Sequence, residues 1–454
     1  MGITIRAIPP TTRGWLATAA GAAAVVVALV VLYSAYIPLM NDFEVYYYGG
    51  SRVLQTGETG VNELYAPRDG LPFTYPPFAA LLFALLATLN IGASGLIFIT
   101  TALVGAAVVA AWLTRHYFGL HGWRDAFADW RFRSVALACT AAILLLGPWR
   151  DTFDFGQINI ILMGLILADF ALYGKSRAGE LRWPAGLLIG LAAGIKLTPL
   201  AFGLYFLVRR DLKALGWMAA GFFGSIAVSW ALIPTASMMF WTRILPDTGR
   251  IGGPAYVDNL SLKGLLLHLG LPDSSVTSMV WLVLSLALAT VAALVIKWAV
   301  DAEENFVAVS ATALLMLLIS PVSWSHHWVW MAVALPCMGF AIHRVPSRNG
   351  RMRLAGWIIV AASVVAFYLT PKYLAVMAGA QEWGKDPQTQ WQLTVSSLGV
   401  VCGMAMLVYW ALAYRPSRAP LRPLRVASAF RDPAARGSDS LDPAASQGLR
   451  SGRL

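Results

Sequence analysis

The chain has 454 residues, of which 58% are apolar and 13% are charged, and its formal net charge is +11. Many windows of about 20 residues carry no charge, which is typical of membrane-spanning helices and excludes a water-soluble globular protein. The positive charge does not indicate a nucleic-acid partner, because lysine and arginine are confined to short loops and a C-terminal tail.

In chain order, the first apolar run, 14–39, is too long for a signal-peptide core and is expected to remain as a helix. The further well-formed runs are 134–149, 157–174, 214–236, 275–298, 305–320, 326–343, 354–371 and 393–414. Two regions are irregular: 74–114 is broken at Asn90, and 183–207 is interrupted at Lys196. The second is compatible with two half-helices meeting at Lys196 and with one span whose lysine snorkels.

The sequence therefore predicts an all-α polytopic membrane protein with about 11–12 transmembrane or re-entrant helices. By the positive-inside rule, four basic loops are expected to be cytoplasmic, namely 115–133, 175–182, 208–213 and 344–353. Residues 1–13 and the tail 415–454 then lie on the same side. The tail is rich in arginine, proline, alanine and serine, which predicts disorder and attraction to anionic lipids. The opposite face collects the loops 40–73, 150–156, 237–274, 321–325 and 372–392.

An acidic pair, Asp42 and Glu44, directly follows the first apolar run. On a strand the two side chains would face the same way, whereas on a helix they would diverge by about 200°. A partly desolvated carboxylate near an acceptor hydroxyl can act as a general base. An isolated acid at this position can equally cap the helix that follows.

Polar residues also occupy two junctions between apolar runs. Tyr75 lies in Thr-Tyr-Pro-Pro-Phe at 74–78, where the prolines indicate a helix start and an aromatic belt. The turn 147–159 brings Arg150, Gln157 and Asn159 together with Asp154. These groups can order the hydroxyls of a sugar or can satisfy one another.

Two adjacent histidines, His326 and His327, follow Trp324 at the start of an apolar run. Histidines at a membrane boundary are often functional, and this pair could hold a phosphate while tryptophan faces contact a sugar. Metal binding by the pair would need a third ligand, and none is evident at suitable spacing. The segment 258–262, which contains Asn259, could close over a ligand or be an ordinary loop.

Six motifs then occur in a fixed order along the chain. They are Asp-Phe-x-Val-Tyr-Tyr at 42–47, Thr-Tyr-Pro-Pro-Phe at 74–78, Gly-Gln-Ile-Asn at 156–159, Gly-Ile-Lys-Leu-Thr-Pro at 194–199, Asn-Leu-Ser-Leu at 259–262 and Ser-Trp-Ser-His-His-Trp at 323–328. The ordered set, over about residues 14–414, resembles glycosyltransferase family 87. Within that family it is most similar to the polyprenyl-phosphate-mannose-dependent α-1,2-mannosyltransferases of actinobacterial envelope glycolipids, of the phosphatidylinositol mannoside and lipomannan type.

The resemblance implies a GT-C fold, a catalytic domain over 14–414 and a catalytic first extracytoplasmic loop, 40–73, in a multi-pass protein of the plasma membrane. It implies an inverting transfer of mannose from polyprenyl-phosphate mannose to a mannosylated glycolipid, with Asp42, or else Glu44, as the base and with no cofactor or metal. Leu260 stands where the family pattern has glutamine, which leaves the acceptor contacts of that loop open. The residues expected to bind the donor phosphate are His326, His327, Arg150 and Lys196. Those expected to bind the sugar substrates are Tyr46, Tyr75, Gln157, Asn159, Asn259 and Trp324.

Two alternatives remain at this stage. A polyprenyl-phosphate-arabinose-dependent arabinofuranosyltransferase would share the loop acid, although the Gly-Gln-Ile-Asn and Ser-His-His-Trp runs favour mannose. A lipid-linked sugar flippase or transporter would also be polytopic and basic, but it would show paired repeats with broken helices in matching halves. The break at Lys196 has no evident partner in the second half of the chain.

Overall fold

A computed structural model describes residues 12–35, 40–55, 63–66, 70–120, 122–247, 252–346, 349–381 and 388–416. Within these ranges the chain is helical and forms no strand, and Asn259 and Trp324 make one isolated antiparallel bridge. The expectation of an all-α protein is confirmed. Residues 1–11 of the predicted N-terminal segment and 417–454 of the predicted tail lie outside the described residues.

The α-helices of the described residues are numbered in chain order. They are α1 Thr12–Ala35, α2 Asn41–Leu54, α3 Pro77–Ala87, α4 Ile91–Tyr117, α5 Trp123–Ala128, α6 Trp130–Leu145, α7 Gly147–Phe155, α8 Asn159–Arg177, α9 Leu187–Ile195, α10 Gly203–Val208, α11 Leu212–Leu232, α12 Pro234–Met239, α13 Leu262–His268, α14 Ser275–Asp301, α15 Asn305–Ile319, α16 Met331–Arg344, α17 Gly350–Met377, α18 Gln390–Ser396 and α19 Leu398–Tyr414. Short 3-10 helices at Thr198–Phe202 and Ser325–Trp330 and a π-helical turn at Phe240–Ile244 complete the set.

Among the described residues, six helices are long and apolar enough to cross a bilayer, and these are α1, α4, α8, α11, α14 and α17. Two bent pairs, α6 with α7 (67°) and α18 with α19 (42°), raise the number to eight if each pair is one span. These helices expose much apolar surface, as expected where the solvent is lipid. The protein is therefore a multi-pass membrane protein.

The two irregular regions are broken where the sequence predicted. Asn90 separates α3 from α4 and caps α4, because its side chain accepts a hydrogen bond from the backbone N–H of Ala93 at 2.8 Å. Lys196 adopts an extended conformation between α9 and the 3-10 helix Thr198–Phe202. Short helices therefore flank Lys196 on both sides, in place of one continuous span.

Two predicted span boundaries are corrected by the structure. The run 326–343 does not begin as an α-helix, because residues 325–330 form a 3-10 helix before α16. The run 354–371 extends to Met377, with a kink at Thr370, whose φ is 66°. A positive φ is strained for a β-branched residue, and the following Pro371 further disfavours the helical conformation there.

The centre of the bundle is α15. Every residue from Phe306 to Leu318 is buried, although the helix has only 15 residues. A helix that is apolar on all sides belongs inside a protein or in lipid, and here other helices surround it. Its C-terminus leads directly into residues 320–327, which carry the candidate site.

Helix α2 is fixed against α3 by a close backbone approach. A side chain at Gly50 would bring its Cβ within 2.2 Å of the carbonyl oxygen of Phe83, so only glycine allows this packing. The aromatic ring of Tyr46 stacks on Phe83 in the same interface, with ring centroids 4.8 Å apart. These contacts fix the N-terminus of α2, and with it Asp42.

Candidate active site

A cavity of about 940 Å³ opens between the ends of several helices. Its walls come from the start of α2, residues 71–76, the break at Lys196, the loop 252–258, residues 320–327 and Lys372. Seven of the predicted site residues line it, namely Asp42, Tyr75, Gln157, Lys196, Trp324, His326 and His327. The fold thus gathers residues that are far apart in the sequence around one space.

Asp42 lies in the first turn of α2, and its carboxylate faces the cavity. Because this segment is helical, Glu44 points elsewhere. It is exposed to solvent and does not line the cavity. The geometry therefore separates the two acids, and only Asp42 of the pair lines the cavity.

A series of hydrogen bonds leads to the Asp42 carboxylate. The Tyr46 hydroxyl donates to Oε1 of Gln157 at 3.0 Å, so the Tyr75 hydroxyl, 3.0 Å away, is the donor to Tyr46. With Oε1 acting as acceptor, the amide nitrogen of Gln157 is free to donate to Asp42, to which the side chain is hydrogen-bonded. Each bond in such a series polarises the next, which strengthens the final donor.

The chain turns sharply just before Gln157 to place this amide. Gly156 ends α7 with φ 66° and ψ 47°, a left-handed conformation in which glycine carries no steric penalty. A Cβ at this position would also lie 2.6 Å from Cβ of Phe43 in α2. The glycine of the Gly-Gln-Ile-Asn motif therefore permits both the turn and the close approach that bring Gln157 to Asp42.

Lys196 extends this network to the histidines. Its Nζ donates to Oδ1 of Asn159 at 3.0 Å and lies 3.0 Å from Nε2 of His327, while Nδ2 of Asn159 donates to Oε1 of Gln157 at 3.1 Å. The five residues Asp42, Gln157, Asn159, Lys196 and His327 are called the Lys196 network below. No carboxylate of the described residues forms an ion pair with Lys196, and Asp42 acts on it only through its charge.

The tautomer of His327 follows from its second contact. Its Nδ1 accepts a hydrogen bond from the backbone N–H of Trp324 at 3.2 Å, so the neutral ring carries its hydrogen on Nε2. That N–H faces the ammonium group of Lys196 at 3.0 Å. This contact therefore joins two donors with no acceptor between them, and an anionic oxygen close to both nitrogens would accept a hydrogen bond from each.

His326 differs from its neighbour. Its backbone oxygen accepts from Nδ2 of Asn159 at 3.2 Å, but its buried Nδ1 has no hydrogen-bond partner within the described part of the chain. The ring lies edge-on to Phe155 and to His327, with centroids 5.7 and 4.7 Å away. His326 is thus placed on the cavity wall by packing, and its ring nitrogens are available to a ligand.

Burial raises the pKa of Asp42 above the usual range for aspartate. The hydrogen bond from Gln157 and the positive charges of Lys196 and Lys372 oppose this rise. The carboxylate is therefore more basic than an exposed one, which suits a group that must accept a proton.

Besides Glu44, four predicted residues do not line the large cavity. Asn159 reaches a smaller adjoining cavity of about 20 Å³, and Tyr46 acts behind Gln157. Arg150 is buried, donates to the backbone oxygen of Tyr368 and lies over that ring, so it is turned away from a donor phosphate.

The fourth, Asn259, is fully buried, and all of its polar atoms contact backbone. Its Nδ2 donates to the oxygens of Pro254 and Pro321, and its Oδ1 accepts from the N–H groups of Ser261 and Ser323. It fastens the loop 252–261 to the histidine segment. In this position Asn259 orders the wall of the cavity but does not itself line it.

The sequence did not assign a role to a second polar group on the cavity wall. It consists of Asp151, Ser325, Asp258 and Lys372, called the Lys372 cluster below. The Ser325 hydroxyl is 2.7 Å from Oδ2 of Asp151 and 3.0 Å from Oδ2 of Asp258. Ser325 has one hydroxyl hydrogen and can donate it to Asp151 only. The contact with Asp258 is therefore a hydrogen bond only when the Asp258 carboxyl group carries a proton and donates it to Ser325. Burial raises the pKa of Asp258, while the charge of Lys372 and the hydrogen bonds from Ser325 oppose the rise.

The described residues do not bring three histidine, cysteine, aspartate or glutamate side chains together in a way that could hold a metal ion. The metal-free mechanism remains a prediction. Among the described residues that line the cavity, the cations available to an anionic ligand are Lys196 and Lys372.

A multi-pass helical protein whose cavity joins a basic carboxylate to converging cationic donors has the features of a membrane-embedded group-transfer enzyme. The chain belongs to glycosyltransferase family 87, whose family model matches residues 73–321. The matched range contains Gln157, Lys196 and Asp258, while Asp42 and the histidines lie outside it. The protein is therefore a glycosyltransferase, and the transporter alternative is set aside.

The chain is similar to proteins whose names describe mannosyltransferases. The chain is 35% identical over 312 residues to a polyprenol-phosphate-mannose-dependent alpha-(1-2)-phosphatidylinositol mannoside mannosyltransferase of Mycolicibacterium smegmatis, covering 66% of this chain and 69% of the relative. It is 30% identical over 392 residues to the corresponding phosphatidylinositol pentamannoside mannosyltransferase of Mycobacterium tuberculosis, covering 85% and 84%. No solved structure matches the chain.

Proposed function

We propose that this protein transfers mannose from polyprenyl-phosphate mannose to a hydroxyl of a phosphatidylinositol mannoside and forms an α-1,2 linkage with inversion. The names of the relatives support the donor and the acceptor. The observation that carries the proposal is that two donor nitrogens, Nζ of Lys196 and Nε2 of His327, lie 3.0 Å apart at one point of the cavity that Asp42 also lines. The donor of the reaction ends in a phosphate, which is the anion that such a point suits.

The reaction is a single displacement. The acceptor hydroxyl attacks the anomeric carbon of mannose, the bond from that carbon to the phosphate oxygen breaks, and polyprenyl phosphate leaves as an anion. Asp42 takes the proton of the attacking hydroxyl. Its raised pKa makes it a stronger base, and the hydrogen bond from Gln157 holds it in position.

Lys196 and His327 Nε2–H act on the leaving phosphate. As the sugar departs, negative charge grows on the phosphate oxygens, so donors that are already in place stabilise the transition state more than the bound donor. His326 lies on the same wall, and its Nδ1 has no partner among the described residues, so it is the further donor to this phosphate or to the mannose hydroxyls. Because the leaving group is an anion of this kind, the mechanism needs no general acid.

The remaining predicted residues divide between contact and support. Trp324 and Tyr75 line the cavity and offer aromatic surface to the sugars, whereas Tyr46 and Asn159 support Gln157 from behind. Asn259 and Arg150 hold the surrounding backbone.

We place the cavity on the extracytoplasmic face of the plasma membrane. Helix α8 begins at Asn159, beside the cavity, and carries Lys175 and Arg177 in its last turn. Helix α16 follows the histidine segment and ends with Arg344. Basic residues mark cytoplasmic helix ends, so the opposite ends, which form the cavity, face outward.

The test uses the full chain purified in lipid nanodiscs. Polyprenyl-phosphate mannose, labelled in the sugar, is supplied with phosphatidylinositol mannosides, and the product is examined for an α-1,2 linkage by mannosidase digestion and NMR. Labelled mannose in an α-1,2-linked product is the expected result. Transfer from polyprenyl-phosphate arabinose with no transfer of mannose would overturn the proposal in favour of an arabinofuranosyltransferase.

A further inference from the structure

Lys372 enters the cavity through an irregularity in α17. Thr370 has a φ of 66°, and Pro371 follows it, so the helix is kinked immediately before the lysine. Gly147 of α7 lies against this kink, because a Cβ there would be 2.3 Å from Cγ2 of Thr370. Strained residues of this kind are concentrated at functional sites, where the surrounding packing maintains them.

The ammonium group of Lys372 forms no hydrogen bond or ion pair with another described residue. It lies 5.7 Å from the ring centroid of Phe155 and 6.0 Å from that of Tyr256, and it is attracted by the charges of Asp258, Asp151 and Asp154. Its three N–H donors therefore lack acceptors within the part of the chain that the structure describes.

Asp258 lacks a hydrogen-bond donor, just as Lys372 lacks acceptors. Its Oδ2 accepts from the backbone N–H of Ser325 at 3.4 Å and lies 3.0 Å from the Ser325 hydroxyl. Its buried Oδ1 has no hydrogen-bond partner among the described residues, and Asp258 lines the same cavity as Lys372. A buried carboxylate oxygen without a donor is costly, so it marks a place where a ligand donor is expected. A donor group and an acceptor group thus face one cavity and attract each other without touching.

A hydroxyl group satisfies both sides at once, because it accepts from the ammonium group and donates to the carboxylate. A phosphate accepts only and would be repelled by Asp258. Aromatic surface adjoins this position, since Trp324 lines the cavity and packs edge-on to Tyr256 with centroids 5.7 Å apart. Charged side chains beside an aromatic face form a suitable surface for a sugar ring.

The position of Lys372 relative to Lys196 indicates whether this sugar belongs to the donor or to the acceptor. Between the two lysines lie His327, His326 and Phe155, each packed on the next along one wall. The donor phosphate is assigned to the Lys196 end, so the Lys372 end is remote from the leaving group. In a single displacement the acceptor attacks from the side opposite the leaving group.

We propose that Lys372 and Asp258 form a hydroxyl-binding subsite for a hexose ring of the acceptor, with Trp324 against the ring. This proposal rests on the proposed function. It goes beyond that function by assigning acceptor recognition to residues distinct from the base and from the phosphate donors.

The test measures separate affinities for acceptor and donor. Octyl α-mannoside serves as a minimal acceptor in detergent, with the full chain as wild type, Lys372→Met and Asp258→Asn. The KM for octyl α-mannoside is expected to rise about 10- to 100-fold in each variant, because a hydrogen bond to a charged group is lost. The KM for the polyprenyl-phosphate donor and the rate of donor hydrolysis by water are expected to stay within about twofold, since the Lys196 end is intact.

The matched control is Lys297→Met, which removes a lysine from an exposed ion pair with Asp301 at 2.9 Å, away from the cavity. Thermal unfolding in the same detergent checks that the variants fold. Deoxy analogues of octyl α-mannoside sharpen the assignment. The wild type is expected to bind one deoxy analogue more weakly than octyl α-mannoside itself. The Lys372→Met variant is expected to bind that analogue and octyl α-mannoside equally.

A direct binding measurement keeps this proposal separate from the enzymatic one. Saturation-transfer NMR reports contact of octyl α-mannoside with the full chain whether or not transfer occurs. Loss of that signal in Lys372→Met, with a normal signal in Lys297→Met, supports the subsite even if the donor has been misassigned. An unchanged acceptor KM and NMR signal, or a rise confined to the donor KM, would overturn the subsite.

Discussion

Two lysines line one cavity, and the groups that face them differ. Lys196 meets the Nε2–H donor of His327 and the neutral amide of Asn159, whereas Lys372 lies near Asp258 and Asp151. A ligand group placed between two donors must accept from both, which suits an anion. A ligand group placed between a donor and a carboxylate must both accept and donate, which suits a hydroxyl. The same side chain is thus directed to a phosphate at one end and to a sugar at the other by its neighbours.

The comparison shows that charge alone does not identify a phosphate site. A lysine whose charge is offset by carboxylates retains its hydrogen-bonding capacity but loses most of its attraction for anions. Each wall can be altered separately, and the expected effects range from a near-complete loss of turnover to almost no change.

Replacing Asp42 tests whether the chemistry belongs to the Lys196 network. Asp42→Asn keeps the shape and the contact with Gln157 but removes the base, so kcat is expected to fall by on the order of 10³-fold or more. Binding of the donor is expected to persist, and this is measured with labelled donor in a filter assay. Turnover close to that of the wild type would show that Asp42 is not the base and that the Lys196 network does not carry the chemical step.

Replacing the histidines distinguishes two members of one segment. His326→Ala is expected to lower kcat by on the order of 10²-fold with a smaller change in donor KM, because its contact strengthens as the phosphate gains charge. His327→Ala also removes the hydrogen bond from the backbone N–H of Trp324, so it is expected to lower the unfolding temperature as well. Steady-state kinetics and thermal unfolding separate the two effects. Addition of EDTA is expected to change neither, and activity restored by one divalent ion would show that the pair binds metal.

The pH profile reports the charge around Asp42. Its pKa is raised by burial, so the acid limb of kcat/KM is expected above the pH at which an exposed aspartate titrates, with activity lost as pH falls through this limb. The charge of Lys196 lowers this pKa, so the residual activity of Lys196→Met is expected to show the limb at higher pH. A limb that stays in place would mean that a different group titrates.

Glu44→Gln provides the smallest expected effect and the control for Asp42→Asn. Glu44 is exposed and outside the cavity, so kcat and both KM values are expected to remain within about twofold of wild type. The measurement is the same transfer assay. If Glu44→Gln were inactive and Asp42→Asn active, the base would be Glu44, and the orientation of α2 in the enzyme would differ from that described.

The sequence allowed the helical class, the breaks at Asn90 and Lys196 and the gathering of Asp42, Gln157 and the histidines to be predicted. The helical class and the breaks depend on local signals, such as a polar residue inside an apolar run, whereas the gathering of the site residues was implied by the resemblance to the family. Lys372 was not recognised, because a lysine at the end of a span ordinarily faces the membrane interface. It is directed inward by the kink at Thr370, which depends on contact with Gly147 and is not readable from neighbouring residues.

Asn259 shows the opposite difference. Its amide looked suitable for a sugar, but folding surrounds it with four backbone groups and leaves no polar atom for a ligand. Whether an amide contacts substrate or backbone is decided by tertiary packing, and sequence carries little trace of it.

The short central helix has a consequence for how the enzyme responds to its membrane. Helix α15, with 15 residues, spans about 22 Å, which is less than a hydrocarbon layer of about 30 Å, and its buried sides have little contact with lipid. Changes in bilayer thickness are therefore absorbed by the tilt of the outer helices, such as α14, and are not transmitted to the floor of the cavity. The distances between the groups that line the cavity are therefore expected to stay the same in lipids of different acyl-chain length.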